Sequence, residues 1–170
     1  VSVPVPPLPP LPVDPASFRK ALAQFASGIT VVTTRDGEGP LGLTVSAFCS
    51  VSLSPPLVLV SLDAGSEAHK GLRESGLFGV SILAEGQDEV SRLFARPGRE
   101  KFREVPLETG QRGLALIPGA LAHIECEVRA AHPAGDHVLY VGEIVALAVR
   151  PGRPLVYNRG GYRRLADDAG

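Results

Sequence analysis

Few residues in this chain combine a reactive type with a useful spacing. The four histidines, His69, His123, His132 and His137, are scattered, and Cys49 and Cys126 stand alone. A zinc centre needs such ligands in clustered spacing, so no metal is expected. His123-Ile124-Glu125-Cys126 matches the H-x-E half of a zinc deaminase signature, but the P-C-x-x-C half is missing. Strand alternation also sets His123 and Cys126 on opposite faces. Gly37, Gly39 and Gly42 satisfy G-x-G-x-x-G. The dinucleotide fingerprint needs those glycines between a strand and a helix, and here they sit in a strand-to-strand turn that contains Pro40. No P-loop and no G-x-S-x-G elbow occurs. What remains is hydroxyls at the ends of elements: Ser46 and Ser61 end strands, and Ser66 begins a helix. Hydroxyls and N–H groups at a helix N-terminus suit a phosphate, whereas the simpler reading makes Ser66 a cap only.

The elements that hold these groups are mostly strands. Asp14-Pro15 pairs an N-cap with proline at the first helical position. Phe18, Ala21, Leu22 and Phe25 follow at i, i+3, i+4 and i+7 as one apolar stripe, and Ser27-Gly28 ends the helix. Period two takes over at 29–34 (ITVVTT), where β-branched residues favour a strand. Arg35-Asp36-Gly37 turns the chain, and 41–46 returns as a second strand. The unbroken apolar run at 57–62 (LVLVSL) predicts a third strand buried on both faces. A short helix from Ser66 to about residue 74, a strand over 77–83 and a helix over 87–95 come next. Val90 and Phe94 share one face of that last helix. Residues 96–118 are rich in glycine and charge and read mostly as loop. Over 120–128, Ala122, Ile124, Cys126 and Val128 face one way, and His123, Glu125 and Glu127 the other. A long strand spans 137–149, with Gly142 marking a bend or bulge, and 155–158 is a last short strand. Consecutive strands with three short helices argue against an alternating βαβ sheet. The expected fold class is mainly β: a closed or partly closed antiparallel β-barrel with a few peripheral short helices.

The 170 residues suffice for one domain, or a domain plus a tail. Lys+Arg is 17 and Asp+Glu is 18, a net charge of -1, which argues against nucleic acid as a partner. No apolar run approaches the ~20 residues of a membrane-spanning helix. The start lacks a basic segment and holds proline where a signal core would lie, so no secretory signal is expected. With 2 cysteines there is no disulfide scaffold, and a cytoplasmic location is expected. Seven of the first fifteen residues are proline, which makes residues 1–13 an extended arm lying on the domain or on a partner subunit. The folded domain then covers 14–165, and 166–170 form a C-terminal tail.

Several runs, in one order, carry a family resemblance. Ser17-Phe18-Arg19 leads to Phe25-Ala26-Ser27-Gly28-Ile29-Thr30-Val31-Val32-Thr33-Thr34. Gly42-Leu43-Thr44-Val45-Ser46-Ala47-Phe48 is followed by Ser50-Val51-Ser52-Leu53-Ser54-Pro55-Pro56-Leu57-Val58-Leu59-Val60. Phe78-Gly79-Val80-Ser81-Ile82-Leu83 precedes Gln87, Leu93-Phe94-Ala95 and Lys101-Phe102. Gly135-Asp136-His137 leads into Tyr140-Val141-Gly142-Glu143-Ile144, and Pro154-Leu155-Val156-Tyr157 precedes Gly161-Tyr162. Over roughly residues 17–163 the chain resembles the short-chain flavin reductases, the reductase components of two-component flavin-dependent monooxygenases.

The resemblance implies a split β-barrel that binds FMN or FAD, usually as a homodimer, with NADH or NADPH as electron donor. It implies that Thr44, Val45, Ser46 and Ala47 hold the flavin ring edge and ribityl chain. Ser61 and Leu62 would form a second flavin-contacting pair. Ser66, His69 and Lys70 would form the phosphate site, with Phe94, Lys101 and Phe102 flanking the flavin or adenine side. His137 would lie on the nicotinamide side, and Tyr162 would close the pocket. One departure concerns the phosphate loop: family members often carry a hydroxyl residue two after its serine, and Ala68 stands there. Hydride transfer between nicotinamide and flavin needs no nucleophile, which accounts for the lack of a catalytic triad or carboxylate pair. The implied function is an NAD(P)H-dependent flavin reductase supplying a partner flavin-dependent oxygenase. Two alternatives stay open: a flavin-binding electron-transfer protein, and a non-enzymatic split-barrel module holding flavin or haem.

Overall fold

The computed structural model describes residues 13–166. The proline-rich arm up to residue 12 and the tail beyond Ala166 lie outside the described residues. Asp14 accepts from the N–H groups of Ala16 and Ser17, both at 3.0 Å, and so caps α1 (Pro15–Leu22). The chain continues through β1 (Ser27–Gly28), β2 (Thr30–Asp36), β3 (Gly39–Val45), β4 (Phe48–Leu53) and β5 (Pro56–Asp63). Then come α2 (Ala68–Ser75), β6 (Leu77–Ile82), α3 (Asp88–Phe94) and a 3-10 turn at Glu100–Arg103. The last part holds β7 (Glu108–Thr109), β8 (Ala115–Leu116), β9 (Ala122–Ala134), β10 (His137–Val149), β11 (Val156–Asn158) and β12 (Gly161–Arg163).

Seven strands form one antiparallel sheet in the order β3-β2-β6-β9-β10-β5-β4. The sheet curls until β3, at one edge, touches β5 near the other. This is the expected class: mainly β, antiparallel, with few short helices. β2 is buried on both faces because two cores flank it. Val32 joins Val58, Val60, Leu72, Phe78 and Ile124 inside the curl. Val31 and Ile29 join Leu83, Phe94, Phe102 and Ile117 beneath α3. The buried threonine hydroxyls of β2 each reach a carbonyl: Thr30 to Val45 (2.7 Å), Thr33 to Ala115 (2.6 Å) and Thr34 to Leu77 (2.8 Å). Satisfied in this way, they cost little to bury. Gly142 is required by close approach. A Cβ there would lie 2.3 Å from the Phe78 ring, and the β9–β10 register shifts between Val141 and Gly142.

Several features differ from the sequence expectation. The first helix ends at Leu22, since Ser27–Gly28 pairs with β11 rather than ending the helix. Its apolar stripe faces outward: Phe18 is 56% exposed, Leu22 54% and Phe25 76%. Burial along 57–62 alternates, with Val58, Val60 and Leu62 in the core while Leu57, Leu59 and Ser61 stay half-buried. Leu59 on that outer face lines a cavity with Leu22 and Phe25. Residues 96–118 are mostly loop as expected, but they also hold the 3-10 turn, the β7–β8 hairpin and buried Phe102, Leu114, Leu116 and Ile117. Five strands lie outside the sequence expectation: β1, β4, β7, β8 and β12. β4 pairs with β5 through a register shift after Ser50, and β12 pairs with β11.

Candidate active site

A cleft of about 440 Å³ opens between the start of α2 and the segment that follows α3. Ser66, Gly65 and Asp63 line one wall, Phe94, Arg96 and Lys101 the other, and Gly42 of β3 the floor. The turn from β5 into α2 is tightly bonded. Asp63 takes Gly65 N–H on its carboxylate (2.8 Å) and Ser66 N–H on its carbonyl (2.9 Å). The Ser66 hydroxyl accepts from Ala68 N–H at 3.3 Å, so Ser66 does contribute to capping even though Glu67 is the N-cap residue. Gly42 is needed on the floor. A Cβ there would come within 2.9 Å of the Val32 carbonyl and 3.1 Å of the Phe102 ring.

Lys101 gives the cleft its charge. It is 5% exposed, and its ammonium donates to the carbonyls of Arg96 (2.5 Å) and Phe94 (3.5 Å). Among the described residues it makes no ion pair. A buried ammonium without a carboxylate is costly, and burial holds its pKa below the ordinary lysine value, with Glu67 acting weakly the other way. An anion in the cleft would relieve that cost.

Lys70 is absent from the lining. It pairs instead with Asp36 (3.1 Å) and Glu38 (3.2 Å), and Arg99 reaches the same Asp36 at 2.6 Å. Asp36 has no exposed side-chain surface and ties α2 to the segment carrying Arg96 and Lys101. The Arg99 guanidinium, hydrogen-bonded to Asp36, holds its carboxyl well below the usual carboxylate range. A depressed folded-state pKa contributes stability above the unfolded pKa of about 4, and that contribution is lost as pH falls. The stability gap between the wild type and Asp36→Asn should therefore narrow as pH falls from about 5 to about 3. Urea unfolding across that range checks this, and a gap independent of pH would show that the Asp36 charge adds nothing.

His69 is also absent from the cleft. Its ring is buried behind the wall, with Nε2 2.8 Å from the Asp63 carbonyl and Nδ1 2.8 Å from the Tyr140 hydroxyl. Both nitrogens are occupied, so the ring cannot serve as a direct phosphate ligand. Of the three residues expected at the phosphate site, the structure keeps Ser66 in the lining and joins it to Lys101. Arg96, which sequence reasoning missed, completes the cationic side. Its only signal was its place in the charged stretch after Phe94.

Two further cavities adjoin. One of about 220 Å³ is lined by Thr44, Ser46, Ser91, Ala95, Tyr157 and Tyr162, and shares Ala95 with the cleft. Another of about 460 Å³ shares Ser46 and Tyr157 with it and includes Ala47, Phe25 and Leu59. The Thr44 hydroxyl donates to the Ser91 carbonyl at 2.6 Å, which fixes β3 against α3. Val45 and Leu62 bury their side chains in the core, so only their backbones are available to a ligand. Ser61 N–H donates to the Ala47 carbonyl at 3.0 Å and sets that loop. Ser46 and Ala47 are exposed, and their N–H groups have no protein acceptor among the described residues. Phe94 is fully buried and meets Phe102 edge-on at 5.1 Å. The Tyr162 hydroxyl donates to the Ser91 hydroxyl at 2.9 Å, with the Arg92 guanidinium 5.0 Å over its ring.

His137 lines none of these cavities. Its side chain is 42% exposed, and Nδ1 sits 2.8 Å from the Asp136 carboxylate, whose pKa that hydrogen bond lowers. It lies opposite Asp63 in the β5–β10 pairing, one strand away from the cleft wall.

A family model described as the flavin reductase like domain matches residues 22–166. The chain belongs to that family. It is 45% identical over 150 residues to the FMN reductase (NADH) SmoA of Agrobacterium fabrum, covering 88% of this chain and 86% of that protein. It is 38% identical over 154 residues to the reductase subunit HsaB of a flavin-dependent monooxygenase from Mycobacterium tuberculosis, covering 88% of this chain and 82% of that one. The solved structure of the NADH:FAD oxidoreductase SgcE6 of Streptomyces globisporus superposes with a TM-score of 0.87 at 38% identity. That match covers 95% of this chain and all of SgcE6. The described residues fit the ligand that flavin reductases act on. A buried ammonium without an ion-pair partner among the described residues lines the cleft, and next to it lie apolar walls and exposed backbone N–H groups suited to a ring with a polar edge.

Proposed function

We propose that the three adjoining cavities form one flavin site, with the phosphate at Ser66, Arg96 and Lys101 and the ring beside Thr44–Ala47. The protein is an NAD(P)H-dependent flavin reductase. The observation that carries the site assignment is Lys101, a buried cation that hydrogen-bonds carbonyls and makes no ion pair among the described residues. Bound flavin supplies the hydride-accepting centre, and the nicotinamide cofactor supplies the hydride. The protein's own groups then have three tasks. Lys101 and the Ser66 turn hold the phosphate. The exposed N–H groups of Ser46 and Ala47 orient the polar edge of the ring and offset negative charge there. Tyr162, fixed by Ser91, walls the site from the C-terminal strand. His137, held in orientation by Asp136, is assigned to the nicotinamide side. Ser61, Val45, Leu62, Phe94 and Phe102 shape the site from behind.

The reductase is assigned a flavin-dependent oxygenase as partner and a cytoplasmic location. Both cysteines are free, which suits a reducing compartment. Among the described residues no helix is long and apolar enough to cross a membrane. A homodimer is supported by the outward stripe of Phe18, Leu22 and Phe25, which borders the cavity that also holds Leu59 and Tyr157. Light scattering across micromolar concentrations should give twice the chain mass, and a monomer throughout would count against it. Steady-state NADH oxidation with FMN, FAD and riboflavin tests the activity. Consumption with each flavin, at lower KM for the phosphate-bearing pair, is expected. NADH left untouched with every acceptor would sink the reading.

A further inference from the structure

The segment 63–69 divides two cavities. Asp63, Gly65 and Ser66 line the phosphate-side cleft, while Ala64 and His69 line a separate cavity of about 550 Å³ behind it, together with Leu72 and Tyr140. The Asp63 carbonyl lies within this partition and accepts twice, from Ser66 N–H (2.9 Å) and from His69 Nε2 (2.8 Å). A carbonyl cannot donate, so Nε2 carries the proton. In the neutral ring Nδ1 accepts from the Tyr140 hydroxyl at 2.8 Å, and the two rings stack with centroids 5.6 Å apart. His69 N–H also donates to the Ser66 carbonyl at 3.2 Å, so the imidazole closes a loop around the turn that presents Ser66. The same Asp63 is paired with His137 across β10, and Ala64 N–H donates to the Asp136 carbonyl at 2.9 Å. One backbone unit thus joins the phosphate turn to the Asp136-His137 turn, and His69 is the side chain that bonds its carbonyl.

We propose that His69 is a positioning residue for flavin phosphate: its Nε2–H holds the Asp63 carbonyl and so sets Ser66 at the cleft. This rests on the phosphate reading of the cleft given above. His69 touches no ligand itself, so its effect must pass through Asp63.

Two polar substitutions separate this role from packing. The amide nitrogen of Gln overlays Nε2 and can still donate to Asp63, whereas that of Asn overlays Nδ1 and reaches only Tyr140. The readout is equilibrium affinity for oxidised FMN and for riboflavin, by quenching of flavin fluorescence without nicotinamide. The wild type should bind FMN more tightly than riboflavin. H69N should lose roughly three- to tenfold of that preference, the worth of one hydrogen bond, while H69Q and Y140F retain it. Retention in H69N, or equal loss in H69N and H69Q, would overturn the proposal. If H69N does not fold, H69F takes its place, because it keeps a ring and removes the Nε2 donor. A preference lost in H69F and kept in H69Q supports the assignment, and one kept in H69F overturns it. A wild type without preference would instead refute the phosphate reading and this inference with it.

Discussion

Replacing Lys101 with methionine is expected to weaken FMN binding by roughly ten- to hundredfold and riboflavin binding far less. Methionine keeps the length and apolar bulk of the stem, which packs near the Phe94 ring with Nζ 5.7 Å from its centroid. Only the charge and its hydrogen bonds are lost. A hydrogen bond to a charged group is worth about 1.5–3 kcal/mol, and burial removes the screening that would lower it at a surface. Lys70, which the sequence suggested for this task, is engaged by Asp36 and Glu38. Its replacement should leave the ratio of FMN to riboflavin affinity nearly unchanged. Fluorescence titration with both flavins checks this. Equal losses for FMN and riboflavin in the Lys101 variant would mean that the lysine only shapes the loop after α3.

His137→Ala is expected to slow reduction by NADH by roughly ten- to hundredfold while flavin affinity stays close to wild type. The imidazole is half-exposed and lines no part of the flavin cavities, so losing it removes no flavin contact. Its orientation is set by Asp136, and the strand it begins is pinned to Asp63. A donor held there can bond the carboxamide or a phosphate of the nicotinamide cofactor. Anaerobic single-turnover bleaching of bound flavin, beside a flavin titration of the same variant, separates the two effects. Wild-type bleaching at every NADH concentration would make His137 a turn residue only.

The strands were legible because local chemistry and burial agree in them. TVVTT (30–34) lies within a doubly buried strand whose threonine hydroxyls all find carbonyls, and 137–149 coincides with β10 because Gly135-Asp136 turns the chain just before it. β4 escaped notice because its alternation is short and its neighbours Ser54 and Pro55 resemble a longer turn. The outward face of α1 could not be read from periodicity, which reports that a stripe exists and not what covers it. The site was legible by segment but not by side chain. Thr44, Ser46, Ser66, Phe94, Lys101 and Tyr162 do line the adjoining cavities. His69 and Lys70 do not, because in a helical turn neighbours point in different directions, and only the packed structure shows which one meets Asp63, which meets Asp36, and which meets the cleft. Asp36 gave no sign beyond its place in a turn, since its partners Lys70 and Arg99 lie far along the chain.

Passage of reducing equivalents from a nicotinamide cofactor to flavin at the site proposed on Ser66 and Lys101 is tested most directly by mixing NADH with excess free FMN and a trace of the protein under anaerobic conditions, following NADH and flavin absorbance together. One NADH should be consumed for each FMN reduced, over many turnovers per protein, and the rate should fall with the Lys101→Met variant at limiting FMN. Flavin that stays oxidised while the protein is folded and saturated with NADH would contradict the reductase reading.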